Sequence, residues 1–296
     1  MSTSAILVTG AAGQLGAELV HALAPFGTVT GTDRATLDLA QPAAIVAAVR
    51  ALRPALIVNA GAYTAVDRAE SESALADAVN GVAPGVLAEE AKRAGAVLIH
   101  YSTDYVFDGE AREPYVEDDP VRPASAYGRS KLAGERAVAE SGAAAIVLRT
   151  SWVYGRRGRN FLLTIERLAD EGRELRVVDD QIGVPNWSRE LARATARIVG
   201  GGLAALAARR GLYHLSGRGR TTWYGFAKAI LADRAAVRIA PITTAEYPTP
   251  ALRPAMSVLD PSRFERTFGF SLPEWSASLR ECLTAPAAPG GDDVGR

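Results

Sequence analysis

Ala5-Ile-Leu-Val-Thr-Gly10-Ala-Ala-Gly13-Gln-Leu-Gly16 is the stretch whose reading decides the fold. The apolar run Ala5–Val8 is short enough for a buried strand, and segment 14–25, directly after the glycines, has helical spacing. Between them the spacing G-x-x-G-x-x-G suits a turn that cradles a pyrophosphate. The first glycine permits the tight turn, the next lets the backbone approach the phosphates, and the last allows helix and strand to pack closely. The phosphates then face the free N–H groups of the helix N-terminus. Such a glycine pattern alone would also suit an ordinary turn. The strand before it, the helix after it, and Asp33 closing the next strand about twenty residues on favour a dinucleotide. Asp33 can accept hydrogen bonds from the adenine ribose hydroxyls, which favours NADH, whereas Arg34 can pair with a 2′-phosphate, which favours NADPH. The sequence therefore predicts NADPH or NADH without choosing between them.

Outward from this turn, short apolar runs alternate with longer alanine-rich ones. Strands are predicted at 5–8, 29–32, 56–58, 97–100 and 146–148, and helices over 14–25, 42–52, 72–94 and 127–141. This alternation predicts an α/β fold, a Rossmann-like doubly wound parallel sheet, with a smaller C-terminal substrate-binding domain. After Arg149 the texture changes. Turn-rich stretches at 155–160 and 179–188 are followed by a helical run 189–209, a strand at 213–216, a helix near 222–234 and a proline-marked segment from Pro241 to Pro261. The expected division is a dinucleotide-binding domain over 1–152, to which the chain returns around 186–216 and 257–265, and a mainly substrate-binding part over 153–284. Residues 285–296, rich in Pro, Gly, Ala and Asp, are expected to form a disordered tail.

Composition narrows the class. The 296 residues carry 33 basic and 33 acidic side chains with no basic run, which argues against nucleic acid as a partner. The single cysteine, Cys282, excludes an intrachain disulfide and a cysteine-based zinc site. The N-terminus lacks the basic start of a signal peptide, and no segment approaches the roughly 20 apolar residues of a membrane helix, so a cytoplasmic protein without membrane contact is expected.

Two strand ends carry the polar residues of a site. Asn59-Ala60-Gly-Ala62-Tyr63-Thr64 and Tyr101-Ser-Thr103-Asp104 follow predicted strands, and ligands of open α/β sheets bind outside the carboxyl ends of strands. Farther along, Ser125-Ala-Tyr127-Gly-Arg-Ser-Lys131 puts a phenol and an ammonium on one helix face. The cation is expected to favour the phenolate and lower the pKa of Tyr127, giving a proton donor for a carbonyl; Thr103 falls where a hydroxyl can bond the same oxygen. The histidines His21, His100 and His214 are scattered and read as structural.

These residues together resemble the extended short-chain dehydrogenase/reductases, and among them those that reduce nucleotide-linked deoxysugars. The resemblance rests on Gly-Gln-Leu-Gly (13–16), Val-Asn-Ala-Gly-Ala-Tyr-Thr-Ala-Val-Asp (58–67), Tyr-Ser-Thr-Asp-Tyr-Val-Phe-Asp-Gly (101–109), Ala-Tyr-Gly-Arg-Ser-Lys-Leu-Ala-Gly-Glu (126–135) and Arg-Thr-Ser-Trp-Val-Tyr (149–154). It continues through Val-Asp-Asp-Gln-Ile-Gly-Val-Pro (178–185), Gly-Leu-Tyr-His-Leu-Ser-Gly (211–217) and Tyr-Pro-Thr-Pro-Ala-Leu-Arg-Pro (247–254), spanning residues 5 to about 283. It implies hydride transfer to the C4 ketone of a 4-keto-6-deoxy-L-sugar, converting dTDP-4-dehydro-L-rhamnose to dTDP-L-rhamnose.

By that likeness the cofactor is lined by Gly10, Gly13, Gln14, Leu15 and Asp33 with Arg34, by Asp38 and Leu39, by Ala60, Ala62, Tyr63 and Thr64, and by Tyr101. Tyr127 and Lys131 complete the cofactor set, with Lys131 on the nicotinamide ribose. The dTDP-sugar is faced by Thr103, Asp104, Tyr127 and Trp152, with Arg253 a candidate for its pyrophosphate. The catalytic set is Tyr127, Lys131 and Thr103. No metal is expected, since the acidic cluster around Glu190 is thin. Gly61 stands where alanine is usual in these reductases, and Asn186 where threonine is common. Monomer and homodimer stay open. Asp104 is followed by Tyr105, not by the glutamate of the related dehydratases, which favours simple reduction; another nucleotide-sugar epimerase/dehydratase of the same superfamily, or a non-catalytic dinucleotide-binding regulatory subunit, are the alternatives.

Overall fold

The apolar runs condense into one parallel sheet because the inner ones alternate their side chains between two covered faces. In the computed structural model, which describes residues 4–234 and 237–285, the strands are β1 (Ala5–Thr9), β2 (Thr28–Thr32), β3 (Leu56–Asn59), β4 (Val97–Thr103), β5 (Ala144–Thr150) and β6 (Gly211–His214). Their order is β6-β5-β4-β3-β1-β2, with every pairing parallel. On one face Ile6, Val8, Val58, Ile99 and Leu148 pack in one core; on the other Leu7, Ile57, Leu98 and Val147 pack in a second. Period-two burial on both faces is what a sheet between two helical layers requires.

The helices are α1 (Gln14–Leu23), α2 (Pro42–Leu52), α3 (Ala83–Ala94), α4 (Ala126–Ser141), α5 (Phe161–Asp170), α6 (Ser188–Gly200), α7 (Leu203–Ala208), α8 (Trp223–Ile230), α9 (Ser262–Phe268) and α10 (Trp275–Thr284), of which α5, α8 and α10 pack away from this sheet. From β1 the chain passes to β2 on one side, and it later places β3 on the other. The crevice between the ends of β1 and β3 is the switch point at which an open sheet binds a ligand. Thr9 Oγ1 donates to Asn59 Oδ1 across it at 2.6 Å, and Asn59 in turn bonds His100 Nδ1 at 3.0 Å, so His100 is a buried strut.

The structure departs from the sequence expectations in three places. The helix expected over 72–94 is interrupted by a π-helical turn, Asp77–Val82, before α3. Pro84 lacks the N–H that would bond the Asn80 carbonyl, and the Asn80 side chain is recruited elsewhere, so the ladder shifts its register there. The run 189–209 breaks into α6 and α7 at Gly200-Gly201-Gly202, where Gly202 adopts φ +92°. The strand expected at 213–216 lies at 211–214, because its pairing starts with Gly211 opposite Ile146.

Residues 155–285 also contain α5 and the parallel pair Leu175–Val178 with Ile239–Ile242, which surround a third core built on Leu162, Ile165, Leu175, Val177, Phe226 and Ile230. α6 packs on α1 and β6 on β5, so two later segments sit with the first half of the chain. The tail expected over 285–296 lies outside the described residues beyond Ala285. No helix among the described residues is long and apolar enough to cross a membrane.

Candidate active site

At the switch point lies a cleft of about 430 Å³ whose floor is the glycine turn. Gly10 is left-handed at φ +69°, and its carbonyl accepts from Gly13 N at 2.9 Å. A Cβ on Gly16 would come within 2.0 Å of the Gly10 carbonyl oxygen, which is backbone and cannot step aside. Gly16→Ala should therefore cost about 1–3 kcal/mol by overpacking and weaken cofactor binding together with it. Urea denaturation and a cofactor titration check this, and unchanged values in both would contradict it. α1 starts at Gln14 without a side-chain cap, and Gln14 Oε1 is buried without a partner. Uncapped N–H groups, a close backbone and an unsatisfied amide oxygen fit a dinucleotide pyrophosphate.

Every residue that the sequence assigns to the cofactor lines this cleft, from Gly10 and Asp33 at one end to Tyr101, Tyr127 and Lys131 at the other. Asp33 Oδ1 accepts from Thr36 Oγ1 and from the Ala35 and Thr36 amides at 2.9–3.0 Å. The Thr36 hydroxyl and these amides hold its carboxyl below the usual range, and the same contacts fix it at the mouth of the cleft.

Tyr127 is brought to the far end of the cleft by the N-terminus of α4. Ser125 caps that helix by accepting from Gly128 N at 3.1 Å. Asn80, fully buried in the π-turn, accepts from Tyr63 N at 2.8 Å and donates to the Tyr63 carbonyl and to Ser130 Oγ, each at 3.0 Å. Ser130 Oγ donates to the Tyr127 carbonyl at 2.8 Å. A single amide thus ties the strand-end loop to the helix that carries the phenol. The sequence reading passed over Asn80; its signal was a polar side chain on the buried face of an alanine-rich segment.

The electrostatics of the pair overturn one expectation. Burial raises the Tyr127 phenol above its ordinary value, a hydrogen bond with Thr103 opposes the rise, and Asp104 and Tyr105 reinforce it. The predicted lowering by Lys131 is not found, because its ammonium is turned to the Tyr101 carbonyl, which it reaches at 2.6 Å. Lys131 itself is pushed down to about 8 by burial, against which Glu135 acts. Thr103 Oγ1 also donates to Asp104 Oδ1 at 3.0 Å and accepts from Tyr105 N at 3.2 Å, so it caps its own turn as well as facing Tyr127. Asp104 is buried with Oδ2 unpartnered, and burial pushes it up to about 7.

A second cavity, of about 900 Å³, joins the first at Thr64, which lines both. Tyr105 lines the second cavity and stands edge-on to Tyr127, with ring centroids 5.5 Å apart. Arg253 lines it too; Nη2 donates to Asp67 at 2.7 Å while Nη1 is buried without a partner. The tryptophan on its wall is Trp223. Trp152, expected to face the sugar, stacks on Trp223 with centroids 3.6 Å apart. Its backbone is left-handed at φ +43°, and Gly183 leaves room for the ring, since a Cβ there would sit 2.4 Å from the indole. Trp223, Phe161 and Gln181 on this wall come from elements with no sequence assignment to the site; Trp223 Nε1 donates to Gln181 Oε1 at 3.1 Å.

The family model described as RmlD substrate binding domain matches residues 4–287. A dTDP-4-dehydrorhamnose reductase of Burkholderia thailandensis is 48% identical over 94% of this chain and 97% of its own. The chain belongs to the dTDP-4-dehydrorhamnose reductase family. A Streptomyces antibioticus protein named as a probable dTDP-4,6-dihydroxy-2-methyloxan-3-one 4-ketoreductase is 44% identical, over 94% of each chain. The crystal structure of the Bacillus anthracis dTDP-4-dehydrorhamnose reductase in complex with NADP superimposes with a TM-score of 0.89 at 35% identity, covering 96% of this chain and 99% of that one.

Departures from the family pattern acquire reasons here. Gly61 packs against Gly10 and Leu39, where a Cβ would sit 2.6 Å from Leu39 Cδ1. Asn186 joins three segments: its Nδ2 donates to the Ser151 and Val184 carbonyls at 2.8 and 2.9 Å, and its Oδ1 accepts from Gly217 N at 2.6 Å. Glu190 accepts from Arg193 at 2.5 Å.

Proposed function

We propose that this chain carries out the NAD(P)H-dependent reduction of the C4 ketone of a dTDP-linked 4-keto-6-deoxy-L-sugar, with dTDP-4-dehydro-L-rhamnose as substrate and dTDP-L-rhamnose as product. The observation that carries it is the position of Tyr127, which lines the dinucleotide cleft and touches, through Tyr105, the wall of the larger cavity. When bound, the reduced nicotinamide supplies a hydride to the ketone carbon. Tyr127 donates its proton to the carbonyl oxygen. The raised phenol is fully protonated near neutrality and so carries the proton that the developing alkoxide takes up. The Thr103 hydroxyl, beside the phenol, stabilises the same carbonyl oxygen.

Lys131 holds the nicotinamide ribose, and residues from Gly10 to Thr64 along the cleft hold the rest of the cofactor. The wide cavity takes the sugar nucleotide: Arg253, with one unpaired N–H group, suits a pyrophosphate, and the Trp223–Trp152 stack offers an apolar face to the deoxysugar. In this reading 1–152, with 186–216 and 257–265, serve the cofactor, and most of 153–284 serves the sugar.

Incubating the pure protein with NADH or NADPH and the 4-keto-L-sugar nucleotide tests the reading. Stoichiometric oxidation of the cofactor is expected. Interconversion without net oxidation would indicate an epimerase, and neither would indicate a binding subunit. Asp33→Ala should lower the NADH/NADPH ratio of kcat/KM, because the fixed carboxylate both accepts from ribose hydroxyls and repels a 2′-phosphate. An unchanged ratio would move the discrimination elsewhere.

A further inference from the structure

Two successive residues of β4 contact two residues one turn apart on α4. The Tyr101 carbonyl accepts from Lys131 Nζ at 2.6 Å, and Ser102 Oγ donates to Glu135 Oε1 at 2.5 Å. Opposite Ser102 in the sheet register stands Arg149 of β5, whose Nε and Nη2 donate to the two oxygens of Glu135 at 2.9 and 2.7 Å. Lys131, Glu135 and Arg149 are exposed by only 2, 7 and 2%. Lys131 and Glu135, four residues apart, share one helix face. An ammonium buried without a counter-charge sheds its proton.

We propose that Glu135 is a positioning residue for the reaction: its carboxylate, fixed by Arg149 and Ser102, holds Lys131 in the ammonium form in which it faces the cofactor. The inference rests on the proposed role of Lys131, but the charge coupling it describes can be measured without substrate.

The other groups around Lys131 do not supply this charge. His100, on β4, is held neutral by burial and by the Lys131 charge itself. On α4 the Tyr127 phenol is kept protonated by burial, as is Tyr105 in the turn after β4. Asp104 in that turn, pushed up to about 7, is largely ionised where Lys131 titrates, yet the carboxylate whose charge acts on Lys131 is Glu135. On β5 Arg149 is a cation. Burial draws Lys131 down to about 8, and Glu135 is the group that acts in the other direction. Without the carboxylate, two cations would share one dry site, and the lysine is the one that can lose its proton.

The chain contains only three lysines, Lys92, Lys131 and Lys228, so labelling them with ¹⁵N in the full-length protein gives a resolvable titration of each ammonium. Lys92 is bonded to the Ser141 carbonyl at the surface and serves as an internal reference. In Glu135→Gln the Lys131 midpoint should fall by about one pH unit or more while the reference stays in place. The alkaline limb of the pH–rate profile should move the same way, and Glu135→Asp, whose carboxylate lies one methylene farther back, should restore only part of both.

An unmoved midpoint in folded Glu135→Gln would overturn the proposal, whatever its stability. Should Glu135→Gln fail to fold, Glu135→Asp, which withdraws the carboxylate by one methylene, decides: an intermediate drop supports the proposal and no drop overturns it. A protein without reductase activity whose Lys131 midpoint still follows Glu135 would contradict the proposed function and the catalytic consequence, but not the coupling of the two charges. Full activity with an unmoved midpoint would sink this inference alone.

Discussion

Tyr127→Phe should lower turnover by roughly 10²–10⁴ while leaving cofactor affinity intact. The change removes one oxygen from a ring that is otherwise held in place by its backbone and neighbours. Ser130 Oγ bonds the Tyr127 carbonyl, Ser125 caps the helix start, and Tyr105 stands edge-on to the ring. Phenylalanine keeps all three, so the loss reports the proton and not the fold. Single-turnover reduction of the 4-keto-sugar nucleotide measures the chemical step, and quenching of bound NADH fluorescence measures affinity. Near-normal turnover would mean that another group delivers the proton. Asp104, buried with a free Oδ2 and pushed up to about 7, would then be the first residue to test.

Arg149→Ala should destabilise the protein by about 3–5 kcal/mol. The substitution leaves the Glu135 carboxylate in a dry interior with only Ser102 as a hydrogen-bond partner, and it removes a guanidinium seated 5.0 Å from the Phe107 ring centroid. A domain's net stability is of order 5–15 kcal/mol, so this one change removes a large share of it. Arg167→Ala is the control: its ion pair with Glu171 lies at the surface, with side chains 61 and 41% exposed, and such pairs contribute about 0–1 kcal/mol. Urea denaturation of both variants checks the contrast, and a similar small loss in each would mean that the buried pair relaxes into water.

Much of the cofactor cleft is legible along the chain because its parts are local. Gly10, Gly13 and Gly16 lie within seven residues of each other, Asp33 follows the next strand, and the strand ends at 59–64 and 101–104 announce themselves by polar residues after apolar runs. The Tyr127–Lys131 spacing marks a shared helix face in the same way. The larger cavity is a different matter. Phe161, Gln181, Trp223 and Arg253 are spread over nearly a hundred residues and four separate segments, and although resemblance marks the strings around Gln181 and Arg253, neither Phe161 nor Trp223 has a local pattern that separates it from core or surface. Trp152 shows the division well: its string resembles a sugar-facing site, but that its ring stacks on Trp223 follows from Gly183 and a left-handed backbone, which no local pattern announces.

What the chain's own order of residues determines is therefore steric and short-range: where a strand must end, where a helix can begin on free N–H groups, and which side chains share a helix face. The direction of the Tyr127 shift, the partner of Lys131 and the charge that opposes its loss were decided by the tertiary structure. Those depend on how much water is excluded around a group and on which carbonyl or carboxylate arrives from another element. Tyr101, Glu135 and Arg149 are brought together by sheet register and helix packing, and no spacing between them in the sequence carries that information.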